Sequence, residues 1–364
     1  MQRRRRLVSK ILAIDIGAGT EDILLYDEAK NVENCIKMIL PAPSIVHATA
    51  VNHATMLRKD VFVRGYTIGG GEFATSLLRH LKKGLRVIMT ESAAYSIRND
   101  LNEVKQLGIE VWRSEKPPKG FRGEVLNINE INLSELDAFL SRKNASLSDV
   151  DVTAIAVQDH GVSPEGISNR RFRMEKMREQ LSRRRRPEDL AFKEDEVPIY
   201  FIRMSSAIRA SKSQFPNSKV IVMDTSLAAI AGCLQDPLVA EEESVLVVNM
   251  GNGHTLAAII LKGEVGGIME HHTQLMTPSR LKRLLRGFAD GELTDEEVFN
   301  EGGHGVAFAK KPIGFSKIDL IAVTGPNRHL IEKAGVEAYF ASPAGDMMMT
   351  GPMGLVAAAK RKYQ

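Results

Sequence analysis

Apolar and polar positions alternate along this chain in two registers, and the change between them marks out elements. Lys10–Asp15 is an apolar run that ends in an acid, Gly17–Thr20 is a turn, and Ile23–Tyr26 is a second apolar run. This predicts two short strands joined by a tight turn. Val32–Leu40 reads as a third strand, stopped by Pro41 and Pro43. A helix is expected at 46–58 and a strand over Val61–Thr67. An amphipathic helix over 72–83 follows the Ile68-Gly69-Gly70-Gly71 turn, with Gly84 as its stop. Val87–Met89 and Ile109–Trp112 read as strands around a helix at 98–107, residues 114–124 as a loop, and Leu133–Lys143 as a helix. Asp151–Gln158 is a continuous apolar run, the pattern of a strand buried on both faces.

The second half repeats this order. Val220–Asp224 reads as a strand and Leu227–Leu234 as a short helix. Three strands then follow closely at 244–250, 255–261 and 264–271, and a helix at 278–289. Asp319–Thr324, Arg328–Ala334, Val336–Ser342 and Met347–Lys360 alternate strand and helix. Each half thus opens β-β-β-α, which predicts a duplicated α/β unit. The opening strands are joined by turns too short for parallel crossovers, so a simple doubly wound sheet is excluded. We expect one domain over 1–198 and a second over 199–364.

Residues 169–196 interrupt the pattern. Arg170, Arg171, Arg173, Lys176, Arg178 and Arg183–Arg186 precede an acidic stretch through Glu196. This reads as an exposed, charged helix and loop inserted before the second half.

Composition narrows the class without naming a function. With 364 residues, 43% hydrophobic and 26% charged, the chain has the balance of a globular protein. A net charge of +4 demands neither a nucleic-acid nor a membrane partner. The basic start, Arg3–Arg6 and Lys10, resembles the first part of a signal peptide, but Asp15 interrupts the apolar run that should follow. A cytoplasmic protein is expected. Cys35 and Cys233 are the only cysteines, too few for a disulfide framework or an all-cysteine iron–sulfur cluster.

Three segments carry candidate chemistry. In Asp15-Ile16-Gly17-Ala18-Gly19-Thr20, a carboxylate at a strand end can hold Mg²⁺. Gly17 and Gly19 let backbone N–H groups approach a phosphate, and Thr20 adds a hydroxyl. Asn249-Met250-Gly251-Asn252-Gly253-His254-Thr255 repeats that logic in the second half. Facing each other across a cleft, the two turns would converge on one polyphosphate. In the third, Ile321–Arg328, a strand runs into a turn with Gly325 and Asn327, which suits packing against a base or ribose. The Gly69–Gly71 turn is in principle a further anion site at a helix start.

In this order, the three segments resemble the two phosphate motifs and the adenosine motif of the actin, Hsp70 and sugar-kinase ATPase superfamily. The resemblance implies two actin-like (ribonuclease H-like) domains with ATP and Mg²⁺ in the cleft between them. Val220–Gly232 is similar to the segment that supplies the catalytic Asp of carbohydrate kinases, which puts Asp224 in that role. Gln158-Asp159-His160-Gly161 is similar to the strand end that lines their sugar site, which puts Gln158 and His160 near substrate. The chain departs from that branch in its short length, in Pro326 and in the residue before Asp224. It is most similar to an archaeal family of unknown function labelled "pyruvate formate-lyase activating enzyme-like". Radical S-adenosylmethionine chemistry, which that label implies, needs three spaced cysteines that this chain lacks.

The leading expectation is ATP-dependent phosphoryl transfer to a small hydroxylated molecule. Asp15 would position Mg²⁺ and Asp224 would take the hydroxyl proton. An alternative is an ATPase switch read by a protein partner. A further one is metal-assisted carbamoyl or adenylate transfer, of the kind that modifies tRNA, through His254, His271 or His272. His304, in a Gly-Gly-His-Gly turn, belongs to the same set of candidate imidazoles.

Overall fold

The structure, a computed structural model, describes residues 8–364. Arg3–Arg6 of the basic start lie outside the described residues.

The chain begins with β1 (Lys10–Ile16), β2 (Thr20–Asp27) and β3 (Ile36–Pro41), an antiparallel meander. It then leaves this sheet for a separate one made of β4 (Val61–Gly65), β5 (Val87–Thr90), β6 (Glu110–Trp112) and β7 (Glu124–Ile128). That sheet is parallel throughout, in the order β6-β5-β4-β7. It has its own core around Phe73, Leu77, Val61, Val63 and Met89. The chain returns in β8 (Val152–Val157), β9 (Phe192–Lys193) and β10 (Lys219–Met223), giving a first sheet in the order β3-β2-β1-β8-β10-β9.

A second sheet repeats the plan with β11 (Ser244–Met250), β12 (His254–Leu261), β13 (Glu264–His272), β14 (Gly305–Phe308), β15 (Leu320–Thr324) and β16 (Tyr339–Phe340). Its order is β14-β13-β12-β11-β15-β16. In both sheets the first strand of the meander pairs antiparallel with the second and parallel with the next strand to return. Five strands therefore run 3-2-1-4-5 in each half, which is the actin-like, ribonuclease H-like plan expected from the duplicated pattern.

β1, β8 and β11 are apolar and buried along almost their whole length because both faces of each sheet are covered. Between the sheets lie two small-residue helices, Thr225–Cys233 and Thr350–Tyr363. A Cβ at Gly232 would overlap the Thr350 carbonyl, and one at Gly354 would overlap that of Ala228. The glycines are thus what lets these two backbones touch.

Two expectations are corrected. The first sheet does not end at 198, because Val220–Met223 pair with β8. The sequence break at 198 reflects the charged segment, not a change of sheet. Residues 169–196 are also not a solvated insertion. The helix Asn169–Arg183 buries Phe172, Met174, Met177 and Leu181. Its basic residues cross to the second half: Arg170 donates to the carbonyls of Phe299 and Gly303, Arg171 pairs with Glu296, and Arg178 with Asp295. Arg171 and Arg178 stay 42% and 48% exposed, so these two bridges lie at the surface of the contact between the halves.

Candidate functional site

The tips of the β1–β2 and β11–β12 hairpins meet. A Cβ on Gly19 would come 2.5 Å from Asn252 Nδ2. Each hairpin is closed by one turn hydrogen bond, Gly17 N to Thr20 O (2.9 Å) and Gly251 N to His254 O (3.0 Å). The amides of Ala18, Asn252 and Gly253 make no hydrogen bond within the described chain. These residues line one side of a cleft of about 660 Å³. Its other walls come from the separate parallel sheet (Gly69–Gly71 and Ser96–Asn99), the end of β8 (Gln158–His160), and Thr225 and Ser226.

The structure sorts the expected residues into those that face this cleft and those that support it. Gly17, Asn249, Gly251, Asn252, Gly253, Gln158, His160, His254 and His272 line it. Gly19 and Thr20 complete the first turn without lining it. Thr255 is fully buried and shares a hydrogen bond with Thr273 (3.0 Å). Gly325, with φ of 93°, packs on the Met250 carbonyl, and a Cβ there would sit 2.5 Å from that oxygen. Asn327 donates through N to Met250 O and through Nδ2 to Gly251 O, so it braces the second hairpin.

Asp15 stands one layer behind the lining, 9% exposed, and accepts a hydrogen bond from Thr225 Oγ1 at 2.5 Å. Burial, then the neighbouring Asp22 and Asp224 carboxyls, push its pKa up to about 8. Asp22 itself is pushed up to about 7, mainly by burial.

Asp224 is not in the cleft. It is buried, caps the helix Thr225–Cys233 through Ser226 N, and accepts from Arg173 Nη1 (2.7 Å) and Nη2 (3.1 Å). The same guanidinium donates to Glu270 Oε2 (2.7 Å) and Oε1 (2.9 Å). Glu270 is fully buried on β13. Burial alone would raise its pKa, but Arg173 and His304 outweigh this and hold it well below the usual carboxylate range. The role of hydroxyl base expected of Asp224 is not met by this geometry, since its oxygens are committed to Arg173.

Four imidazoles gather beside the second hairpin. His254 and His272 are cross-strand partners on β12 and β13, with ring centroids 4.8 Å apart. His304 stands 4.8 Å from His254 and 4.9 Å from His272, and His160 reaches in from the first half, 5.3 Å from His304. Burial pushes His254 down to about 3 and His272 to about 4, so these rings are neutral. His304 Nδ1 lies 3.0 Å from Glu270 Oε2. His271, expected among the metal candidates, is not in this group. Alternation along β13 sends it to the opposite face, where it is buried and its Nδ1 lies 3.2 Å from the His272 carbonyl oxygen.

Sequence reasoning missed Arg173, hidden in a run of basic residues. The apolar spacing of Met174, Met177 and Leu181 was the available signal that one face of this helix is buried, with Arg173 beside it. It also missed Arg203, which pairs with buried Glu130 and donates to the Gln158 carbonyl (2.8 Å), fixing the floor of the cleft.

No helix among the described residues is long and apolar enough to cross a membrane. No curated protein matches the chain in sequence. Solved structures similar to it include a ROK hexokinase from Thermus thermophilus (11% identity, TM-score 0.33, 96% of this chain and 97% of that one). A ROK family glucokinase from Streptomyces griseus in complex with glucose and AMPPNP is 11% identical, with a TM-score of 0.36 over 96% and 98% of the two chains. The ethanolamine utilization protein EutJ from Carboxydothermus hydrogenoformans is 10% identical, with a TM-score of 0.33 over 97% and 91%. Residues 68–330 match one family model over well more than half the chain, so the protein belongs to the family described as "Putative pyruvate format-lyase activating enzyme (DUF1786)".

Proposed function

We propose that this protein binds a nucleoside triphosphate with Mg²⁺ in the cleft between its two halves and cleaves or transfers the terminal phosphoryl group. The observation that carries this reading is the convergence of the two glycine turns, Gly17–Thr20 and Gly251–His254, with unpaired amides along one cleft wall. Backbone amides in such turns form concavities for anions. Phosphoryl transfer needs little from a protein beyond positioning and charge stabilisation.

Asp15, with Thr225 beside it, fits a cation brought in by the phosphates. Its carboxyl is crowded by Asp22 and Asp224, and a positive charge would relieve that repulsion and draw the pKa down from about 8. Mg²⁺ bound there would supply charge neutralisation at the phosphates. The chain's own residues would orient the polyphosphate and exclude water when the hairpins close on it.

Between a kinase and an ATPase switch, the Arg173 contacts favour the switch. Arg173 ties Asp224, at the end of a first-sheet strand, to Glu270 in the second sheet. This leaves Asp224 unavailable as the base for a substrate hydroxyl, and it links the two halves behind the cleft. Nucleotide binding would bias the opening and closing of this link, and a partner protein would read the result. Release of ADP from Mg-ATP separates the two. The switch reading expects slow ADP release with no acceptor present, and release only on adding a hydroxylated metabolite would favour the kinase. No release under either condition would contradict the reading in both forms.

A further inference from the structure

We propose that His160, His254 and His304 form a binding site for a first-row transition metal ion, placed in the cleft next to the second glycine turn. Each offers one ring nitrogen, and the three nitrogens lie within 4.8 Å of one another, a spacing that a single ion can bridge. The Nε2 atoms of His254 and His304 are buried and have no hydrogen-bond partner among the described residues. Leaving such atoms unpaired is costly, and a metal ion would satisfy them.

The surroundings are those of a ligand set. Glu270 Oε2 stands 3.0 Å from His304 Nδ1, and neither ring nitrogen of His304 has a hydrogen-bond partner among the described residues. A carboxylate behind a histidine commonly fixes its ring and tautomer for metal binding. Glu270 is in turn held by Arg173. Three imidazoles and no first-layer carboxylate favour zinc, iron, nickel or copper over Mg²⁺. His160, His254 and His304 all line the cleft, as do Asn252 and Gly253. An oxygen of an anionic substrate could therefore complete the coordination. His160 comes from the first half and His254 and His304 from the second, so an ion here would also bind the halves together.

Metal uptake tests this without reference to nucleotide, so its failure and the failure of the nucleotide reading are separable. The full chain is stripped with a chelator and titrated with Co²⁺ under visible absorption, with Zn²⁺ then used as competitor. The expected result is a single Co²⁺ per chain, displaced by Zn²⁺ and not by Mg²⁺. His160→Ala and His254→Ala, confirmed as folded by circular dichroism, should each weaken binding at least about tenfold, the scale on which even outer groups of such sites act. His271→Gln, on the opposite face of β13, and His329→Ala, exposed and remote, should bind as wild type does. Absence of stoichiometric uptake by the folded wild type would overturn the proposal. So would uptake unchanged in His160→Ala and His254→Ala, or lost equally in His329→Ala.

Discussion

Arg173 Nη1 lies 2.7 Å from Asp224 Oδ2, with both side chains almost wholly removed from solvent. Since Arg173 also holds Glu270, its removal would leave two buried carboxylates facing each other without a cation. Breaking a buried ion pair by deleting one partner typically costs about 3–5 kcal/mol. Arg173→Met should therefore lower the free energy of unfolding by roughly that amount, read by urea titration. Arg173→Lys should recover little of it, because one ammonium cannot reproduce four directed hydrogen bonds to two carboxylates. A variant as stable as wild type would show that the two halves are not tied here.

The contact between the two central helices makes a second, separate prediction. A methyl at Gly232 or Gly354 has no room, because the opposing atoms are backbone carbonyls. Overpacking of this kind costs about 1–3 kcal/mol or more. Gly232→Ala should show that loss in thermal or chemical denaturation. Gly253→Ala, where a Cβ meets nothing within 4 Å, should stay within about 1 kcal/mol of wild type. Equal effects at the two sites would contradict the packing described for the helix pair.

Stability should also depend on pH in a direction set by the buried carboxyls. Burial raises Asp15 to about 8 and Glu21 and Asp22 each to about 7. Their unfolded values lie near 4, so the folded state keeps protons that the unfolded chain has lost. The stability these groups contribute is present at low pH and is lost as pH rises through about 7 and 8. His47, His80, His160, His254, His271 and His272, all held below 6.5 by burial, act in the opposite sense, and their unfolded counterparts still bind protons up to pH of about 7.5. From pH of about 7.5 to about 8.5 the free energy of unfolding should fall, and Asp15→Asn should flatten the slope. Denaturant titrations across that range read it directly; a slope of the other sign, or one unchanged in Asp15→Asn, would contradict the assignment.

The repeated meander was legible because β1 and β11 are nearly unbroken apolar runs ending in glycine turns, a local signal that needs no partner to be seen. The hairpins Gly17–Thr20 and Gly251–Thr255 were legible for the same reason. What the pattern hid depends on pairing at a distance. The strand Glu124–Ile128 lies beyond a proline-rich loop and is half exposed, so its alternation is weak. Arg173 looks like any of its basic neighbours until Asp224 and Glu270 are brought to it from 51 and 97 residues away. The histidines were visible singly, yet only strand register separates His272, which faces the cleft, from His271, which does not. Asp224 sat at the expected strand end, but the sequence held no sign that its oxygens were already taken.

The central claim is that the two glycine turns enclose a nucleotide, and calorimetric titration of Mg-ATP tests it most directly. Gly253 lines the cleft and has open space where a side chain would project, so Gly253→Val should fold while obstructing the site. The account predicts micromolar binding by wild type and at least about a tenfold loss, near 1.4 kcal/mol, in Gly253→Val. No binding by wild type with or without Mg²⁺, or binding unchanged in a folded Gly253→Val, would contradict it.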